Sequence, residues 1–199
     1  MSYRAPINDM TFLLKNVVDY NLLENTSYFE DTSLETTVAI LNEAAKMAEM
    51  ELNPLQSVGD QQPAFLENGV VRTAPGFSDG YKAIADGGWI GVAANSKYGG
   101  MGLPLTIQNC VNEMLNSSCL SLALNPLMTQ GQIEALEHHA SEEIKTLYLP
   151  KLITGEWSGT MNLTEPQAGS DVGALTTKAI KNDDNTYAIS GQKIYISWG

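Results

Sequence analysis

The residues best equipped for chemistry lie together near the end of the chain, in Met161-Asn-Leu-Thr-Glu-Pro-Gln-Ala-Gly-Ser-Asp171. Leu163 leads into Thr164, and Pro166 with Gly169 fixes a tight turn. Several backbone N–H groups are thereby left without ladder partners beside the hydroxyls of Thr164 and Ser170. A nest of that kind suits a phosphate or the edge of a heteroaromatic ring, although Thr, Pro, Gly, Ser and Asp also build ordinary loops. Two carboxylates share the segment. Glu165 is expected to hold the turn, and Asp171 to accept local backbone hydrogen bonds after the Gly-Ser pair, so neither is assigned acid–base work. His138 and His139 are adjacent, so on a helix they point about 100° apart and cannot share a metal. Cys110 and Cys119 lack CxxC spacing and are expected reduced in helix interiors; no metal site is expected.

The elements that must position this segment read as helices over most of the chain. Asp9 is a candidate N-cap for a helix carrying Phe12, Leu13, Val17 and Val18. Ser33 opens a second, in which Leu34, Val38, Leu41, Ala45, Ala48 and Leu52 form a core-facing stripe until Pro54 stops it. Gln56 to Pro75 is polar and irregular, with Gly59, Pro63 and Gly69 as breakers; a surface excursion is expected there, with Val70 and Val71 extended. A short helix from Ser78 to Asp86 should end at Gly87 and Gly88, which can supply a left-handed C-cap. The glycines between Gly99 and Gly102 do not match a GxGxxG fingerprint and mark a connection. Leu105 to Asn116 and Met128 to His138 give two apolar-striped helices. Ser141, with Glu142 and Glu143 behind it, caps another that should run to about Leu149, near Pro150.

After Gly155 the character changes. Thr176 to Lys181 and Thr186 to Ser190 are rich in β-favouring residues, Asn182 to Asn185 is a turn by composition, and Lys193 to Trp198 reads as strand. The fold class is α+β: an all-α domain over residues 1–156, then the first strands of an antiparallel β domain over 157–199. A few strands leave edges and an apolar face uncovered, so a fragment of a longer protein is expected.

Composition narrows the partners. With 199 residues, 43% of them hydrophobic and 17% charged, a folded core is expected. The formal charge of −12, from 23 acidic against 11 basic side chains, repels a nucleic-acid backbone and an anionic membrane. An anionic ligand would have to meet a local group of backbone donors. The N-terminal residues are polar, without the apolar core of a secretory signal, and no run approaches the ~18 apolar residues of a membrane span. A cytoplasmic protein is expected.

Thr164-Glu165-Pro166 followed by Ala168-Gly169-Ser170-Asp171 resembles the signature of the acyl-CoA dehydrogenase family. The likeness continues in order through Gly88-Trp89, Tyr98-Gly99-Gly100, Leu149-Pro150-Lys151 and Gly155-Glu156-Trp157, and into Gly191-Gln192-Lys193-Ile194-Tyr195-Ile196-Ser197. Tyr3-Arg4-Ala5-Pro6 with Asp9 and Phe12 is similar to the leader of the large bacterial subgroup that includes methylmercaptopropionyl-CoA dehydrogenases. Essentially the whole chain is covered.

The resemblance implies a middle β-barrel domain and a C-terminal helical bundle, the chain stopping within the former and before the latter. It implies FAD, held along Met161, Leu163, Thr164, Gly169 and Ser170, with Thr164 at the pyrimidine edge and Gly169 and Ser170 at the pyrophosphate. Ser170 also touches the acyl-CoA. Tyr195, Ile196 and Ser197 form the second flavin segment, an aromatic ring beside the isoalloxazine and a hydroxyl toward N5. Trp and Thr are frequent where Tyr195 and Ser197 stand; the aromatic face and the hydroxyl are kept. Leu122 to Gln130 matches a helix that walls the acyl chain and reads equally well as core. The implied reaction is α,β-dehydrogenation of an acyl-CoA to the enoyl-CoA, as in β-oxidation of fatty acids. Its base is a Glu beyond Gly199, so no catalytic residue is expected in this chain and residues 1–199 are expected to be inactive alone. Electron-transferring flavoprotein as acceptor and a homodimeric or homotetrameric parent are also implied. The same scaffold serves flavin oxidases and monooxygenases, and a non-catalytic helical interaction module is a third reading.

Overall fold

The computed structural model describes residues 3–29 and 32–199, and it divides into two compact units, Met1–Gly159 and Thr160–Gly199. The first is helical. Helix α1, Ile7–Asn16, starts after Pro6 and not at Asp9; no side chain caps it, and Asp9 sits in its first turn, where a negative charge meets the positive end of the dipole. Its buried face is Met10 and Leu14. Phe12, Leu13, Val17 and Val18, the apolar residues that gave the helical spacing, are all exposed. After the single turn α2, Asn21–Glu24, the chain reaches α3, Leu34–Met47, capped as expected by Ser33, whose Oγ accepts from the Thr36 N–H at 3.1 Å. Tyr20 ties the N-terminal segment to α3: its hydroxyl meets Thr37 Oγ1 at 2.7 Å, and both side chains are buried.

Pro54 does not end the helix that follows. Ala48–Leu52 winds as a π-helix and α4, Asn53–Gln61, continues from it with Pro54 in its first turn. There a missing N–H costs nothing, and the widened turn absorbs the proline's bulk. The N-terminal arm grips this stretch: the Ala5 N–H donates to Glu49 Oε1 (2.9 Å), Arg4 Nη1 pairs with Glu49 Oε2 (2.7 Å), and the Tyr3 N–H reaches Asn53 Oδ1 (3.4 Å). The irregular excursion is accordingly shorter than expected. It contains an exposed hairpin of β1, Phe65–Glu67, and β2, Val70–Arg72, turned at Asn68 and Gly69, both with positive φ.

Helix α5, Phe77–Asp86, ends at Gly87, and Gly88 supplies the left-handed residue (φ 72°). The loop to Pro104 folds tightly on itself; a Cβ on Gly100 would lie 2.0 Å from the Ala94 carbonyl oxygen. Helix α6, Leu105–His139, joins the two expected helices and the stretch between them, with a break at Cys119 (φ −157°, ψ 83°) and Pro126 further on. Ser141 caps α7, Glu142–Ile153, which runs past Pro150 and so beyond the expected end. Helix α6 packs against α3, α4, α5 and α7. Leu41, Leu52, Ile84, Ile107, Met114, Leu122 and Leu149 are excluded from water, each worth about 1.5–3 kcal/mol of burial. Among the described residues no helix is long and apolar enough to cross a membrane.

In the second unit β3, Lys178–Lys181, pairs antiparallel with β4, Tyr187–Ser190, in the register Lys178↔Ser190 to Lys181↔Tyr187. The turn closes by the Asn182 N–H donating to the Thr186 carbonyl (2.9 Å), with Asn185 left-handed. Lys193 to Trp198, expected as a strand, is irregular. Tyr195 and Trp198 both have φ of 57°, which breaks the pleat, and strand propensity counts for little without a ladder to join.

Candidate functional site: two clamped stretches of the second unit

The tight turn read from Pro166 and Gly169 closes on itself: the Glu165 N–H donates to the Ala168 carbonyl (2.9 Å) and the Ala168 N–H returns to the Glu165 carbonyl (3.0 Å). This places the Glu165 side chain inward, with 1% of it exposed. Its carboxylate accepts from the Thr176 N–H (2.8 Å), Thr176 Oγ1 (3.0 Å), the Thr177 N–H (3.0 Å), Gln167 Nε2 (2.6 Å) and Lys193 Nζ (2.8 Å). A buried carboxylate is stable only with such donors around it. The Lys193 ammonium, followed by hydrogen bonds from the Thr176–Thr177 stretch, holds its pKa far below the ordinary carboxylate range. Glu165 is therefore held ionised at neutral pH and is a weak base, consistent with its turn-holding assignment. Asp171 accepts the Gly173 N–H at 3.1 Å and caps a short 3₁₀ turn, Val172–Ala174.

Two stretches singled out in the sequence are brought side by side. The Ile194 N–H donates to the Thr164 carbonyl (3.0 Å), and Lys193 Nζ donates to the Leu163 carbonyl (2.9 Å) as well as to Glu165. Leu163 and Thr164 thus lie against the residues that lead into Tyr195. Met161, Leu163, Gly169, Ser170, Tyr195 and Ser197 are exposed, while Thr164 and Ile196 are half-buried. Tyr195 presents 88% of its surface. Gly169 and Ser170 lie beyond the closed turn, and no hydrogen bond among the described residues ties them to Tyr195–Ser197. A Cβ on Gly169 would meet nothing within 4 Å, so the backbone there is open to a bound group. Exposed apolar and aromatic faces, free hydroxyls and an open glycine fit a flat heteroaromatic cofactor with a diphosphate.

Lys193 is the participant that sequence reading passed over. Gly191-Gln192-Lys193 carried the likeness, but an isolated lysine gives no sign of which distant carboxylate it will meet. In the helical unit, Asn125 Oδ1 is buried with no hydrogen-bond partner among the described residues; it falls within Leu122–Gln130. A separate cleft of about 400 Å³ opens beside Ile90, Gln108, Asn112, Gln130 and Glu134. The rings of His138 and His139 lie 6.2 Å apart and tilted by 55°. No cluster of His, Cys, Asp and Glu is placed to hold a metal among the described residues.

Residues 35–156 match the acyl-CoA dehydrogenase N-terminal domain, and residues 160–199 match the middle domain. Over all of its length the chain is 41% identical to 3-methylmercaptopropionyl-CoA dehydrogenase of Ruegeria pomeroyi, of which it covers 34%. The structure of butyryl-CoA dehydrogenase from Megasphaera elsdenii aligns with 86% of this chain and 41% of its own, with a TM-score of 0.67 and 25% identity. An acyl-CoA dehydrogenase from Bacillus anthracis complexed with FAD aligns with 84% of this chain and 27% of its own, with a TM-score of 0.69 and 26% identity. The chain spans about a third of the length of these curated relatives. A helical unit followed by a short antiparallel unit, each matched by its own domain model and in that order, places this chain in the acyl-CoA dehydrogenase family.

Proposed function

We propose that these residues form the helical and flavin-contacting part of an FAD-dependent acyl-CoA dehydrogenase that converts a saturated acyl-CoA to its α,β-enoyl-CoA. The observation that supports this most is the pairing of Leu163–Thr164 with Lys193–Ile194, which sets both flavin stretches of the family reading next to each other with their hydroxyls free. When bound, FAD supplies the hydride-accepting redox chemistry.

The chain's own residues bind and orient. Thr164 offers its hydroxyl to the pyrimidine edge, while Gly169 and Ser170 present open backbone and a hydroxyl to the pyrophosphate, Ser170 also facing the acyl-CoA. Met161, Leu163 and Ile196 supply apolar surface, Tyr195 an aromatic face, and Ser197 a donor toward N5. Glu165 does not remove the α-proton: its carboxylate is buried, ionised and fully engaged. In this reading the base is a carboxylate outside residues 1–199. Electron-transferring flavoprotein as acceptor, a homo-oligomeric assembly and a cytoplasmic location belong to the same proposal. The acyl group is proposed to be a fatty acyl chain or, following the relative from Ruegeria pomeroyi, a short thioether acyl group.

The test is anaerobic addition of straight, branched and thioether acyl-CoAs to an FAD-loaded full-length protein containing these residues. Bleaching of the oxidised flavin band by at least one of them is expected; an unbleached spectrum across the panel refutes the reading. Residues 1–199 alone are expected to be inactive and to hold FAD weakly. Stoichiometric yellow cofactor in that material would refute the latter.

A further inference from the structure

We infer that Glu165 and Lys193 are a positioning pair that sets the register between the two flavin-contacting stretches, so that flavin binding depends on an ion pair that touches no flavin. The inference rests on the functional reading above, and it begins with an irregularity. Two neighbouring extended stretches are ordinarily kept in register by a ladder of backbone hydrogen bonds. Here Lys193–Trp198 is not a strand. Among the described residues, one backbone bond joins Ile194 to Thr164.

One ammonium group adds two further bonds to the join. Lys193 Nζ donates to the Leu163 carbonyl at 2.9 Å and to Glu165 Oε1 at 2.8 Å, so it brackets Thr164 from both sides. Three consecutive residues of the first stretch are thus held to two consecutive residues of the second. A slip by one residue would break all three bonds together. Glu165 is itself fixed against the start of the hairpin by the Thr176 and Thr177 amides and closed by Gln167. The side chains are 1% and 21% exposed, so solvent screens the pair little. Tyr195, 88% exposed and with a left-handed backbone, follows two residues later. Where the ladder is missing, the ion pair takes its place.

The test uses the full-length protein containing these residues, with Lys193→Gln, Lys193→Arg and Glu165→Gln. Three quantities are read: amide hydrogen exchange in the cofactor-free protein, the FAD dissociation constant, and the visible spectrum of bound flavin. In K193Q the Ile194 amide should exchange about tenfold faster or more, as expected on losing a charge-assisted hydrogen bond, while Thr176 and Thr177 change little. E165Q should open all three. FAD affinity should fall about tenfold or more in both with a shifted flavin band, K193R should restore most of it, and amides of the helical unit should stay unchanged. Should E165Q fail to fold, K193Q carries the test, because Glu165 keeps its other four donors there.

Unchanged Ile194 exchange in K193Q overturns the inference. So does faster exchange with wild-type FAD affinity and spectrum, which would leave the pair a purely structural role. A wild-type protein that takes up no FAD refutes the functional reading and the flavin half of this inference with it, while the exchange arm still decides whether the ion pair sets the register.

Discussion

Replacing Tyr20 by Phe removes one oxygen from the junction that fastens the N-terminal segment to α3. Tyr20 is 1% exposed and Thr37 is fully buried, with their hydroxyls 2.7 Å apart. The variant keeps the ring's packing and strands the Thr37 hydroxyl away from water. An orphaned buried hydroxyl costs about 1–3 kcal/mol. For a chain of this length each kcal/mol moves the unfolding midpoint by roughly 2–4 °C, so about 2 kcal/mol gives a fall of about 4–8 °C by far-UV circular dichroism. Thr37→Val should cost a similar amount by stranding the phenol. The double variant removes donor and acceptor together, so its loss should be smaller than the sum by about 1 kcal/mol or more. Burial also raises the Tyr20 pKa above its ordinary 10.0. The folded state favours the neutral phenol, so that stabilisation is present below pH 10 and is lost as pH rises through the folded value. Y20F should flatten that alkaline decline. A Y20F midpoint within about 1 °C of wild type, or strictly additive losses, would refute the buried pair as described.

Glu165 gives the opposite sign: its folded pKa is lowered from 4.5 by Lys193 and the Thr176–Thr177 donors. Its stabilisation is present above about 4.5 and lost as pH falls below that, so exchange of the hairpin amides should accelerate with acid in the wild type and less steeply in E165Q; superimposable acid profiles would refute this. Gly100→Ala drives a Cβ to 2.0 Å from the Ala94 carbonyl oxygen, a backbone atom that cannot rotate away, and should cost about 1–3 kcal/mol in thermal unfolding. An unchanged midpoint would show that the loop yields. Asn125→Leu replaces a buried oxygen that lacks a donor, and should leave chemical denaturation within about 1 kcal/mol of wild type or improve it. A larger loss would reveal a partner for that oxygen.

What the sequence made legible was local. Ser33 and Ser141 cap their helices because a hydroxyl beside free N–H groups has one obvious use. The Lys178–Ser190 hairpin followed from β-favouring residues on either side of a polar turn. The failures came where a local rule met a longer-range compensation. Pro54 reads as a stop, yet a preceding π turn removes the clash. Phe12 and Val17 give the helical spacing, yet Met10, Leu14 and Tyr20 take the buried positions. The flavin stretches were recognisable by resemblance, and Thr164 carries hydroxyl chemistry in any reading. The ion pair that joins them spans 28 residues and was invisible, because no periodicity links a glutamate in a turn to a lysine after a hairpin.

The widened winding at Ala48–Leu52 has an evolutionary corollary. A π turn stores one residue more than an α turn, and here the exposed Met50 and Glu51 occupy it. A lineage could drop one of them, and the helices on either side would close up without repacking Leu41 or Ala45. The N-terminal arm would notice, because Ala5 and Tyr3 hold Glu49 and Asn53 on either side of Met50 and Glu51. A single-codon deletion there and a change in the first few residues should therefore be inherited together.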